Sequence, residues 1–213
     1  MTTPAPTGML LLVSGGLDST ALAALLRPKL LVYVDYGQRP AEAERIASRT
    51  IAGKLGLPYQ AVTLGIGDFG SGLLHDDSNV LVAAPSPEWW PYRNQFLATA
   101  AAAIALTEGC GSVALGTVAG DGERHRDGTR DFYTKLDALV SSQEGEVRVV
   151  APALDQTTEE IIGQSGLDGS ILGWTASCHR SNHPCGDCPG CWKRQRVLTS
   201  LGIEGYSWNK GEA

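Results

Sequence analysis

The sequence predicts an α/β protein: a doubly wound, Rossmann-like parallel sheet followed by a C-terminal four-cysteine zinc-binding segment. Three observations carry this. Short apolar runs alternate with helix-like stretches along the first part of the chain, the pattern of parallel strand–helix–strand units. The first run, Leu10 to Val13, breaks off in Ser14-Gly15-Gly16-Leu17-Asp18-Ser19, a tight strand-to-helix turn. Four of the five cysteines fall in one late stretch rich in glycine and proline.

Residues 1–8 are Thr/Pro-rich and expected to be disordered. They carry no basic segment ahead of an apolar one, so they do not read as a secretory leader. The turn after the first strand is built to hold an anion. Gly15 and Gly16 let backbone approach a ligand, and the N–H groups that open the helix through Thr20 to Leu26 favour phosphate. Asp18 would repel a phosphate unless a cation such as Mg²⁺ lay between them. Ser14, Gly15, Gly16, Leu17, Asp18 and Ser19 are therefore the expected nucleotide-binding set. The spacing matches neither Gly-x-x-x-x-Gly-Lys-Ser/Thr nor Gly-x-Gly-x-x-Gly, which takes support away from those two phosphate-binding classes.

A second strand, Leu30 to Asp35, ends in Tyr36-Gly37-Gln38-Arg39-Pro40. Ligands of such sheets sit at the carboxyl ends of strands, so Asp35, Tyr36, Gln38 and Arg39 join the cofactor-binding candidates. Ala41 to Leu55 reads as an amphipathic helix with Ala43, Ile46, Ala47 and Ile51 inward and Glu42, Glu44, Arg45 and Arg49 outward. Tyr59 to Leu64 is the third strand. Residues 65–87 are irregular, with His75 read as a loop residue. Trp90 is suited to pack over a planar ring, Arg93 to meet a nucleotide or carboxylate, and Asn94 to cap the helix Gln95 to Leu106. Strands Ser112 to Gly116 and Val147 to Ala151 flank a helix from Phe132 to Val140, and Thr157 or Thr158 caps the next helix with Glu160.

Cys178, Cys185, Cys188 and Cys191 have the spacing Cys-x₆-Cys-x₂-Cys-x₂-Cys. Four thiolates close a tetrahedral Zn²⁺ site with no open position, so the metal is expected to be structural. A redox Cys-x-x-Cys and an iron–sulfur cluster are the rivals. A helix is expected from about Trp192, carrying Lys193, Arg194 and Arg196. The chain divides into an α/β unit over 9–173 and a metal-binding segment with a final helix over 174–213. The net charge of −6 argues against an extended nucleic-acid surface. No run of ~18 apolar residues predicts a membrane span. Clustered cysteines suit a reducing compartment, the cytoplasm.

Ser-Gly-Gly-Leu-Asp-Ser resembles the pyrophosphate loop of the N-type ATP pyrophosphatases (adenine nucleotide alpha hydrolase type). Together with Asp35-Tyr36-Gly37-Gln38-Arg39 and the four cysteines, it resembles the QueC family of 7-cyano-7-deazaguanine synthases from about Met9 to Leu201. The resemblance implies ATP and Mg²⁺ as well as zinc. Its substrate is 7-carboxy-7-deazaguanine, whose carboxylate attacks the α-phosphate and expels pyrophosphate. Asp18, Ser19, Arg93 and Asp121 are the catalytic residues so implied, and Gly116 joins the cofactor set. Trp90, Arg93, Asn94, Asp121, Asp127 and Phe132 form the implied substrate set, and a homodimer is the expected assembly. Two departures stand out. Glu123-Arg124-His125-Arg126 replaces a Ser-Gly-Tyr-Pro stretch of the pocket, and Thr158 stands where the family has a lysine near the phosphates. Lys135, Lys193 and Lys210 are the available substitutes. These departures favour a QueC-like ligase that stops at an amide, passing the acyl group to an amine such as that of a partner protein in an antiphage system. The alternatives are nitrile synthesis with ammonia and two ATP for queuosine, and a non-catalytic zinc-stabilised binding subunit.

Overall fold

Strands buried on both faces need no polar alternation, and the apolar blocks of this chain form the middle of its sheet. The computed structural model describes residues 8–75, 81–82 and 84–203. The predicted N-terminal disorder and Lys210 thus lie outside the described residues, apart from Gly8. Strands β1 (Met9–Leu12), β2 (Leu30–Asp35), β3 (Tyr59–Thr63), β4 (Ser112–Ala114) and β5 (Arg148–Val150) make one parallel sheet in the order β3-β2-β1-β4-β5. Leu10 of β1 sits between Leu30 and Val113 of its neighbours.

The helices are α1 (Leu17–Leu26), α2 (Ala41–Leu55), α3 (Arg93–Thr107), α4 (Asp121–Arg124), α5 (Arg130–Ser141), α6 (Thr158–Ser165), α7 (Gly169–Leu172) and α8 (Pro189–Ser200). They cover both faces of the sheet. On one, Leu11 and Tyr33 pack with Leu22 of α1, Ile161 of α6, and Val197 and Leu198 of α8. On the other, Leu10, Val32 and Val34 meet Ala98, Ala101 and Ala105 of α3 and Leu136 and Val140 of α5. The alanines of α3 let that helix approach the strands closely. Among the described residues no helix is long and apolar enough to cross a membrane.

The structure shifts several predicted boundaries for identifiable reasons. Helix α1 begins at Leu17, not Thr20, because Gly16 in extended conformation serves as its N-cap. Helix α3 begins at Arg93 after Tyr92, whose φ is 55°, and no side chain caps it, so Asn94 lies within the helix and not at its cap. Helix α8 begins at Pro189, with the Cys188 sulfur accepting from Cys191 N–H as a cap. The box of Thr157 and Glu160 caps α6 as expected. The inward face of α2 is rotated from the one predicted: Ile46 is 49% exposed, and Ala47, Ser48, Ile51 and Ala52 are buried. The cause is the turn over residues 14–19, which α2 abuts. Gly15 has φ +75°, and a Cβ there would lie 2.6 Å from Ala47 Cβ. Glu44, predicted to face outward, faces the cleft described below.

Candidate active site

After β1 the chain winds toward β2, and after β4 it winds toward β5, so their carboxyl ends part and leave a crevice, as in other doubly wound sheets. A cleft of about 370 Å³ opens there, floored by Ser14, Gly16, Asp18 and Ser19 and walled by Gly116, Thr117 and Asp121. The loop is held by its own hydroxyls. Gly16 N donates to Ser14 Oγ (3.3 Å), Ser14 N to Ser19 Oγ (3.4 Å) and Thr20 Oγ1 to Gly16 O (2.7 Å). The N-terminus of α1 therefore presents its first turn to the cleft, a setting that favours an anion.

Asp18 is the hub of the charge. Its Oδ1 accepts from Thr158 Oγ1 at 2.5 Å and its Oδ2 from Lys193 Nζ at 2.8 Å. Asp121 lies within the same field and accepts from Val118 N at 3.1 Å. Burial raises the Asp121 pKa and Asp18 adds to the rise, while Lys193 and the Val118 N–H oppose it. One ammonium thus serves two carboxylates. Among the described residues, Lys193 is the candidate substitute that the structure brings to the loop. Lys135 instead pairs with Asp131 on the exposed face of α5.

The second strand's edge supplies a scaffold as well as a wall. Gln38, 3% exposed, is consumed internally: its Oε1 accepts from Tyr36 N (2.8 Å), and its Nε2 donates to Tyr33 Oη (3.0 Å) and Glu44 Oε2 (2.7 Å). Asp35 accepts from Gly37 N, and Arg39 N donates to Leu74 O. None of Asp35, Gln38 and Arg39 lines the cleft; Tyr36 and Glu44 do. Burial pushes the Glu44 carboxyl up to about 7, helped by Asp35 and opposed by Gln38 and Arg93. Arg93 and Asn94 also line the cleft, with Asp127 beside them. Burial works against the Arg93 charge, but Tyr36, Asp127 and Glu44 more than restore it.

Two aromatic candidates are placed differently from the expectation. Trp90 is 1% exposed and packs in a small core with Tyr36, Ile66 and Leu74, its ring edge-on to Tyr36 at 4.9 Å. Phe132 packs edge-on to Tyr133 at 5.4 Å, toward the core under α5. Neither presents a face to the cleft. Large apolar rings next to a sheet are more stable buried than lining a polar crevice.

The four cysteine sulfurs lie within 4.8 Å of one another. Tetrahedral Zn²⁺ with Zn–S bonds of ~2.3 Å requires sulfurs roughly 3.8 Å apart, so a small inward adjustment suffices. Backbone N–H groups of His179, Arg180 and Asp187 donate to Cys188, Cys178 and Cys185 at 3.4 Å each, which favours thiolates. The donor set fits zinc with no ligand position left over. This segment is docked on the loop: Ala176 N donates to Gly15 O at 2.9 Å. Gly190, in the first turn of α8, passes so close to the 177–179 stretch of chain that a Cβ would lie 1.8 Å from Ser177 O.

The family model of queuosine biosynthesis protein QueC matches residues 8–202. The chain belongs to the QueC family. A 7-cyano-7-deazaguanine synthase of a Nitratiruptor species is 28% identical over 208 residues, covering 91% of this chain and 94% of the relative. Those of Campylobacter jejuni subsp. jejuni serotype O:6 and Methanothermobacter thermautotrophicus are 29% and 27% identical, covering 92% and 91% of this chain and 95% of each relative. Of the site residues expected from the sequence, Ser14, Gly16, Leu17, Asp18, Ser19, Arg93, Asn94, Gly116, Asp121 and Asp127 converge on one cleft, and Gly15 lies just outside its lining. Residues outside the expected site set also line it: Glu44, Glu88 and His179, together with Arg124 and His125 of the replaced pocket segment. A four-residue step along α2 from Pro40 would have flagged Glu44. Nothing local flags Glu88, which a long irregular connection delivers.

Proposed function

We propose that this protein converts 7-carboxy-7-deazaguanine to 7-cyano-7-deazaguanine with ATP and ammonia. The observation that carries this is the cleft in which the intact loop meets Asp18, Lys193 and Arg93. The substrate carboxylate attacks the α-phosphate of ATP and pyrophosphate leaves. Ammonia then displaces AMP from the acyl adenylate, giving the amide. The amide oxygen attacks a second ATP, pyrophosphate leaves again, and loss of AMP and a proton yields the nitrile.

The protein's part is positioning and charge compensation. Loop N–H groups and Lys193 meet the phosphates, and Arg93 meets the substrate carboxylate. Asp18 and Asp121 are hard oxygen donors suited to Mg²⁺, which would neutralise the departing pyrophosphate. Lys193 pairs with Asp18 in the resting cleft and turns to the phosphates when nucleotide enters.

Two features had favoured a reaction that stops at the amide, and both lose force. Lys193 brings a cation to the loop that position 158 lacks. Two residues of the replaced segment are engaged by the cleft wall: Arg124 donates to Glu88 at 2.6 Å and His125 approaches it at 3.5 Å, which supports a role of these two in the cleft over one in meeting a protein acceptor. The names of the relatives point the same way. Incubation with 7-carboxy-7-deazaguanine, ammonium, Mg²⁺ and excess ATP should release pyrophosphate only when the acid is present, and mass spectrometry should find the nitrile at two ATP per product. Accumulation of the amide would restore the amide-forming ligase, and no acid-dependent release would end the reading.

A further inference from the structure

The cleft wall made by Glu88, Arg124, His125 and His179 belongs to no motif that identifies the family. Glu88 is 7% exposed at its side chain. Its Oε1 takes the Arg124 guanidinium at 2.6 Å and faces His125 Nε2 at 3.5 Å. Its Oε2 has no hydrogen-bond partner among the described residues, and the same holds for Nδ1 of both His125 and His179. Buried polar atoms are ordinarily satisfied, because an unmet acceptor sacrifices its hydration for nothing. Three unmet atoms on one wall of a substrate cleft call for a ligand with complementary polar groups.

The charge state of Glu88 limits what that ligand is. Burial disfavours its ionised form. Hydrogen bonds from His125 and its own backbone N–H, with the Arg124 charge, overcome this and hold the pKa down at about 2. Glu88 is then an acceptor only. It suits a ligand edge with adjacent N–H donors, and Arg124 suits a carbonyl beside them. The aminopyrimidinone edge of a deazaguanine has that order: an exocyclic amine, a ring N–H and a carbonyl. The negative charge of Glu88 also repels a carboxylate, so a ring docked by this edge directs its acid group away, toward the cations Arg93 and Lys193.

We propose that Glu88 is the specificity residue for the deazaguanine ring, accepting from its ring N–H and amino group, with Arg124 donating to the ring carbonyl. This rests on the function proposed above and adds to it the residues that read the base. The replaced pocket segment then has a definite role, since Arg124 and His125 both belong to it.

Direct binding of 7-carboxy-7-deazaguanine to the whole protein, measured by calorimetry without ATP, tests this. The comparison ligand is the analogue lacking the 2-amino group. The wild-type protein should bind the analogue about 10- to 100-fold more weakly, the range for a bidentate base-edge contact. Glu88→Gln keeps the shape and the Arg124 contact but places an amide against the donors. It should weaken the parent acid by a similar factor and largely erase the discrimination, while the thermal shift produced by ATP stays unchanged. Equal binding of acid and analogue by the wild type would overturn the proposal without any variant, as would a Glu88→Gln protein that discriminates normally. A wild type that binds neither would overturn the proposed function itself, and the subsite with it.

Discussion

Lys193 sits 2.8 Å from Asp18 although 175 residues separate them, and Thr158 holds the other oxygen of the same carboxylate. The positive charge that the resemblance leads one to expect at position 158 thus has a counterpart in space on a different helix. If Lys193 stabilises the departing pyrophosphate, Lys193→Ala should lower acid-dependent pyrophosphate release by about 10²- to 10³-fold, the usual cost of losing one preorganised charge-stabilising donor. Stability should change little, because the ion pair is partly exposed and such pairs contribute weakly. Adding Thr158→Lys to that variant should return part of the rate. Unimpaired release by Lys193→Ala would remove the lysine from the chemistry. The pair was beyond sequence reading because no local window spans it. Gln38 raises a related point. The structure shows it holding its own turn together and outside the cleft lining, an arrangement that leaves the same letters in the sequence as a ligand contact would.

Among the elements, β2 and α2 were legible to the residue, Leu30–Asp35 and Ala41–Leu55. Each is bounded by breakers: Arg27 in left-handed conformation and Pro28 before the strand, Pro40 and Gly56 around the helix. Helices α1 and α8 start earlier than expected because Gly16 and Cys188 cap them; Gly16 reads in the sequence only as turn, and cysteine is not among the preferred N-cap residues. Helix α8 links two functions. Its first turn carries Cys191 of the metal set, and the next residues bring Lys193 to the loop and Arg194 to Thr175 at 3.0 Å. Cys188→Ser should therefore remove zinc and lower the melting temperature by on the order of 10 °C, since metal binding energy at such sites is folding energy. Elemental analysis with a melting curve decides it. A metal-free variant that melts like the parent would deny the cluster its structural role.

For the molecule as a whole, the class of fold and the general position of the cleft were both readable, because alternation and a glycine turn fix a doubly wound sheet and its switch point. Which aromatic rings face the cleft was not, since Trp90 and Phe132 answer to packing on elements remote in sequence. Nor did local pattern reveal that α8 completes the main core. Val197 and Leu198, at 0% and 1% exposure, pack in the same cluster as Leu11 of β1. Leu198→Ala should cost about 3 kcal/mol and shift the unfolding of the entire chain in one transition. Separate melting of the metal-binding segment in calorimetry would contradict that coupling.

The docking of α8 on the first loop also sets an order of events during synthesis. Asp18 leaves the ribosome ~10–35 s before Lys193, at ordinary elongation rates of roughly 5–20 residues per second. Throughout that interval the nascent chain carries the loop of residues 14–19 without Lys193 and without the last strip of its core. A chain stalled short of α8 lacks Lys193 beside Asp18 and lacks Val197 and Leu198 in the core, so neither its cleft nor its core is complete. A complete cleft therefore exists only once the chain has been made through α8.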